Sequence, residues 1–138
     1  MEHKDLLAHL RAAGQLEYGS VVMGGHIRAL LGLEYPEVGT KKQFDALALT
    51  ELSAINYIRD RLLSEGKYLV GIRGDYRVLL PSENASQAEA LMDSADRKMR
   101  RARKLLSNTP PSDTDTATAA LLTRVAMREN ATRRGLPQ

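Results

Sequence analysis

Leucine recurs at helical spacing from the start of the chain. Leu6, Leu7 and Leu10 share one face of a helix predicted over residues 4–13, with Gly14 as its stop. Val21 and Val22, bounded by glycines, predict a brief extended segment. A second helix follows over 25–31, with Ile27, Leu30 and Leu31 on its apolar face and Gly32 as its C-terminal stop. Residues 34–40 carry Pro36 and Gly39 and read as a loop, followed by a helical turn over 41–47. Thr50 is then a candidate N-cap, Glu51 suits the positive end of a helix, and Leu52, Ile55, Ile58 and Leu62 recur at helical spacing before Gly66. This predicts a third helix from Thr50, with all four apolar residues in the core.

From Lys67 the period falls to about two. Residues 68–72 and 76–80 form two short strands around the turn Arg73-Gly74-Asp75, making a hairpin over 67–80 that Pro81 ends. Ser82 can cap a long helix to about Leu106. Ala85, Ala88, Met92, Ala95, Met99, Ala102 and Leu106 alternate along it by three and four, a heptad-like stripe. Pro110 and Pro111 lie in a linker expected over 108–115; a short helix is expected over 116–132 and a frayed end over 133–138.

Charge changes this picture by its distribution. The net charge of the 138 residues is only +3, but residues 1–66 hold 7 Lys/Arg against 9 Asp/Glu, whereas residues 67–138 hold 13 against 8. Positive charge begins at the hairpin, which favours a polyanionic partner for the second half. Cysteine is absent, which excludes disulfides and thiolate chemistry and tilts the expected location to the cytoplasm. No apolar run approaches the ~18 residues of a membrane span, and the polar N-terminus predicts an untargeted, soluble chain. The glycosylation sequons at Asn84 and Asn130 are then chance matches.

The order helix, short strand, helix, turn region, helix, hairpin matches a winged helix. The run 57–70 (YIRDRLLSEGKYLV), continued by Gly74-Asp75-Tyr76-Arg77-Val78, resembles the recognition helix and wing of bacterial and bacteriophage winged helix-turn-helix proteins. Residues 6–14 and 26–32 resemble that family's first two helices. The resemblance covers residues 4–81; its one departure is the stretch 33–49, far longer than the family's tight turn. It implies a winged helix-turn-helix domain over 1–81; with the long amphipathic basic helix over 82–107, for packing or dimerisation, and the linker with a short helix or tail over 108–138 that the residue pattern predicts, the expected fold is α+β and mostly helical. It implies a non-enzymatic duplex-DNA-binding protein of bacterial or phage type, most often a transcriptional regulator, and otherwise a replication or packaging protein.

On the third helix the face opposite the core offers Thr50, Ser53, Asn56, Tyr57 and Arg61 to DNA. Asn56 suits paired hydrogen bonds to adenine, Arg61 a phosphate, and Tyr57 a phosphate or sugar. The plainer reading is a solvated face, and Glu51 and Asp60 oppose phosphate approach. At the wing, Lys67, Arg73 and Arg77 are the candidates for phosphate or minor-groove contact. Arg73-Gly74-Asp75 also spells an integrin-recognition tripeptide, a coincidence in a chain without a secretion signal. Residues 97–104 carry six positive charges in eight positions, so Arg97, Arg100, Arg101 and Lys104 are candidate auxiliary phosphate contacts. Glu89, Asp93 and Asp96 stand where helical pairing can absorb part of that charge. The stripe on the same helix favours a homodimer.

His3, His9 and His26 are scattered, without companions at metal-ligand spacing, so no metal is expected. Residues 19–26 are glycine-rich but lack the Gly-Lys-Ser/Thr end of a phosphate loop. No nucleophile-base pair or paired carboxylates stand out, so neither catalysis nor a cofactor is expected. The alternative function is a protein-interaction module on the same scaffold, engaging a polymerase or replication complex through the hairpin or long helix.

Overall fold

Three helices and a small sheet close on a wholly aliphatic core. The computed structural model describes residues 1–110 and 115–134. The helices are α1 (His3–Ala12), α2 (Gly24–Leu31), α3 (Lys41–Leu63), α4 (Pro81–Asn108) and α5 (Asp115–Arg134); the strands are β1 (Val21–Val22), β2 (Leu69–Ile72) and β3 (Asp75–Val78). The chain is mostly helical and divides into two compact units, Met1–Ala85 and Ser86–Gln138.

In the first unit, Leu6 and Leu10 of α1, Leu16, Val22, Ile27 of α2, Ile55, Ile58 and Leu62 of α3, Leu69 and Val78 are all removed from solvent. Burial of such side chains stabilises by about 1.5–3 kcal/mol each, which explains why helical and strand periodicities meet at one centre. The sheet is antiparallel in the order β1-β3-β2, so the return strand of the hairpin is its middle strand. Val22 stands opposite Tyr76, and Leu69 opposite Val78. Arg73 and Gly74 at the hairpin turn have φ of 51° and 87°. Both are left-handed, the requirement of the tight turn that matches strand twist.

Several sequence expectations need correction. α3 does not start at Thr50. Its N-cap is Thr40, whose hydroxyl accepts from the Gln43 N–H at 3.3 Å while the Gln43 side chain accepts from the Thr40 N–H at 3.0 Å. This reciprocal capping box satisfies two helix-end donors at once, which a cap at Thr50 would not. Thr50 lies inside the helix, its hydroxyl donating to the Ala46 carbonyl. The separate turn over 41–47 is thus the first part of α3, and the connection from α2 shrinks to residues 32–40. Tyr35 of this connection stacks on Phe44, with ring centroids 6.4 Å apart. Leu52 is 49% exposed rather than core. It lies roughly 100° around the helix from the centre of the buried face, where Ala54 takes a place beside Ile55 and Ile58.

α4 begins at Pro81, not after Ser82. Proline is pre-organised for a first helical position, and Glu83 accepts from the Leu80 N–H at 3.1 Å. Asn84 donates to the Gly66 carbonyl at 2.8 Å, so the first turn of α4 belongs with the first unit. In the second unit Arg103 donates to Glu129 of α5 at 2.7 Å. Of the expected stripe, Met99, Ala102 and Leu106 are half-buried, whereas Ala85, Ala88, Met92 and Ala95 are exposed. α5 extends the helix expected over 116–132 to Arg134, into the end expected to fray. Half of the expected linker, residues 111–114, and the terminal 135–138 lie outside the described residues.

The hairpin turn approaches the start of α2 so closely that a Cβ on Gly24 would stand 1.9 Å from the Gly74 carbonyl oxygen. Gly24→Ala is expected to cost about 1–3 kcal/mol of unfolding free energy in a urea titration, because backbone must move to admit the methyl. Gly25→Ala, whose Cβ would meet only an Arg28 guanidinium nitrogen at 3.9 Å, is expected to be neutral or stabilising by up to about 1 kcal/mol.

Candidate nucleic-acid interface

The surface formed by α3 and the hairpin depends on how the two are fixed to each other. Arg59 Nε donates to the Leu69 carbonyl at 3.1 Å, tying α3 to the first strand of the hairpin. Glu51, half-buried, ties α3 to α2, to the loop between them and to β3. Its Oε1 accepts from Arg28 Nη1 of α2 at 3.2 Å and from the Tyr76 hydroxyl of β3 at 3.1 Å. Its Oε2 accepts from the Tyr35 hydroxyl at 3.2 Å. Burial and the neighbouring Glu51 carboxylate raise the Tyr76 phenol above its ordinary value of 10.0, so it remains a donor at neutral pH. Burial and the hydrogen bond to Glu51 do the same for Tyr35. Glu51, expected at a helix start, is instead a mid-helix junction. The hairpin is fixed at its other end too: Asp75 Oδ1 accepts from the Gly24 N–H at 2.9 Å, capping α2 from across the fold.

On α3, Thr50, Ser53, Tyr57 and Arg61 lie along one stripe at spacings of three and four. Thr50, Ser53 and Arg61 are exposed; Tyr57 is half-buried. The Arg61 guanidinium lies over the Tyr57 ring at 5.2 Å, and His3 of α1 lies 5.8 Å from the same ring. Asn56 is exposed beside this stripe, on the hairpin side, at 3.5 Å from Arg59 Nη1. The third helix thus brings its five candidates to the surface. Beside them lie exposed leucines, Leu49 at 66%, Leu52 at 49% and Leu63 at 59%, with Ile72 of β2 at 47%.

The wing candidates separate. Lys67 is largely covered, 3.8 Å from Glu17 and over the Tyr18 ring at 5.5 Å. Arg77 makes a two-pronged pair with Glu83, at 2.6 and 3.0 Å. Arg73 alone stands exposed at the turn, with no ion-pair partner among the described residues. In the second unit Arg97, Arg100, Arg101 and Lys104 are all exposed. The helical pairs expected with Glu89, Asp93 and Asp96 do not form: among the described residues no ion pair within 4.0 Å joins them.

Sequence reasoning missed Glu51 as a junction, because its partners come from three other segments. It also missed Lys41 and Lys42 as the start of α3, although the Thr40-x-x-Gln43 pattern of a capping box was there to find. Among the described residues no three His, Asp or Glu side chains group as metal ligands, and no helix is long and apolar enough to cross a membrane. Comparison with protein families, curated proteins and solved structures gives no match.

The Arg77 hydrogen bond, then that of the Leu80 N–H, hold the Glu83 carboxyl below its ordinary value of 4.5. A lowered folded-state value contributes stability that is complete above 4.5 and lost as pH falls through the folded value. Glu83→Gln is therefore expected to lower the urea midpoint at neutral pH and to narrow the gap to the wild type on acidification. Parallel titrations from about pH 7 to pH 3 read that convergence.

Proposed function

We propose that the first unit is a winged helix-turn-helix module that binds duplex DNA without catalysis, and that the chain is a transcriptional regulator of bacterial or phage type. The observation that carries this reading is the arrangement α1-β1-α2-α3-β2-β3 with sheet order β1-β3-β2, in which Arg59 ties the hairpin to α3. A long helix beside a two-stranded ribbon fits the major groove and an adjacent backbone or minor groove.

Within this reading α3 lies in the groove along its middle, around Ser53 and Asn56. Lys41 and Lys42 stand in the first turn, where the helix dipole is already positive, and a phosphate there relieves both. Asn56 and Ser53 serve as base-edge contacts, Thr50, Tyr57 and Arg61 as backbone contacts. Arg73 serves as the wing's contact. Its left-handed backbone is uncommon for a residue with a Cβ and projects the side chain from the turn. Lys67 and Arg77 support the wing from within, and Arg77 also joins it to α4.

One observation favours a second reading, a protein-interaction module for a polymerase or replication complex: the exposed Leu49, Leu52, Leu63 and Ile72 border the same face. A salt-titrated binding assay with random and selected duplexes separates the two. Binding at micromolar or tighter affinity is expected, with Asn56→Ala costing about 1–3 kcal/mol on the preferred sequence alone. Arg73→Ala is expected to weaken all sequences alike and to reduce the salt slope by about 1. Absence of duplex binding at low salt, or equal effects of Asn56→Ala on every sequence, overturns the reading.

Homodimerisation through α4 is part of the proposal, supported by the exposed Ala88, Met92 and Ala95 on one helix face. Sedimentation equilibrium is expected to give a dimer for the wild type and a monomer for Met92→Glu; a wild-type monomer rejects that part.

A further inference from the structure

The two units divide the charge unequally. Residues 1–85 hold 10 Lys/Arg against 11 Asp/Glu, a balance of −1, and residues 86–138 hold 10 against 6, a balance of +4. Four of the ten cations of the first unit are also committed to ion pairs. Arg11 pairs with Glu65, Arg28 with Glu51, Lys67 with Glu17 and Arg77 with Glu83. Affinity for a polyanion scales with the number of phosphates that cations neutralise. The first unit's six other cations, Lys4, Lys41, Lys42, Arg59, Arg61 and Arg73, are scattered over α1, α3 and the hairpin turn.

The second unit has its cations in order. Arg97, Arg100, Arg101 and Lys104 stand at i, i+3, i+4 and i+7, so they share one face of α4 over roughly 10 Å. All four are exposed, and none is neutralised by an ion pair among the described residues. The half-buried Met99, Ala102 and Leu106 lie on the opposite side. Residues 86–138 contain no Phe, Tyr or Trp. This leaves no platform for stacking unpaired bases and no aromatic anchor for a membrane interface, and the half-buried apolar side is not free to enter one. A row of cations with nothing to read base edges suits a phosphate backbone.

We infer that this face of α4 is a second, sequence-independent contact for duplex DNA, and that its four cations supply a separable share of the salt-dependent affinity of the chain. For its partner it rests on the duplex-DNA reading of the first unit, but its residues and its signature are separate. Four released counterions correspond to a salt slope of about −3.6, or roughly a 10²-fold change in affinity between 50 and 200 mM salt.

The test uses the full chain and a random-sequence duplex, titrated over that range, with three proteins: the wild type, R97A/R100A/R101A/K104A, and N56A/R73A. Alanine keeps the helix, which circular dichroism checks. The quadruple variant is expected to flatten the slope by about 3–4 and to weaken low-salt binding about 10²-fold or more on any sequence. If it does so while N56A/R73A matches the wild type on every duplex, the inference stands and the reading of the first unit falls. A slope unchanged in the quadruple variant overturns the inference, even where the wild type prefers one sequence. Binding of the wild type to phosphatidylserine vesicles without binding to duplex also overturns it, assigning the stripe to an anionic membrane instead.

Discussion

The first unit is organised around one carboxylate. Glu51 accepts hydrogen bonds from α2, from the loop between α2 and α3, and from the middle strand of the sheet. An aliphatic core fixes how much surface is buried, but it is tolerant of sliding and rotation of a helix. A carboxylate with one charged and two phenolic donors is not, since each donor has a direction and a half-buried charge that loses its partners is costly. The junction therefore sets the rotation of α3, and with it which residues meet solvent. Arg59 on one side and the capping of α2 by Asp75 on the other complete the frame.

That frame makes the hairpin short and tightly held. Its strands are four residues each, and its turn rests against the first residue of α2, at a distance only glycine permits. A longer ribbon would present several charged side chains beyond the domain, whereas this one presents Arg73, beside Ile72. The cations nearer its base are used to fasten it, Lys67 to Glu17 and Arg77 to Glu83. Holding the hairpin and presenting charge compete for the same residues, and here holding takes two of three.

The competition gives the distribution of charge a physical meaning. A hairpin that spends its cations on internal pairs gains definition of shape and loses long-range attraction for an anion. A separate helical unit can carry attraction without that conflict, because a solvated cationic row needs only a regular backbone and an apolar side to rest on. On the proposed function, shape-dependent reading thus belongs to the first unit, while sequence-independent affinity is shared with the second.

Much of the local structure was legible in the sequence because it depends on neighbours along the chain. The positions of α1, α2, the hairpin and the two late helices follow from apolar spacing, from Gly14 and Gly32 as stops, and from the glycine turn at 73–74. The start of α3 was legible too, through Thr40 and Gln43, but Thr50 before a strongly apolar run competed for the same role; a helix can have only one N-cap, and reciprocal bonding decided it. The candidate surface was legible as a set of residues on one face and not as a working arrangement. Whether Lys67 and Arg77 are free depends on Glu17 and Glu83 being brought beside them. Whether Leu52 is buried depends on the rotation of α3, which Glu51 sets through residues up to 25 positions away. Local spacing determines which face a side chain shares; only the folded chain determines what stands opposite that face.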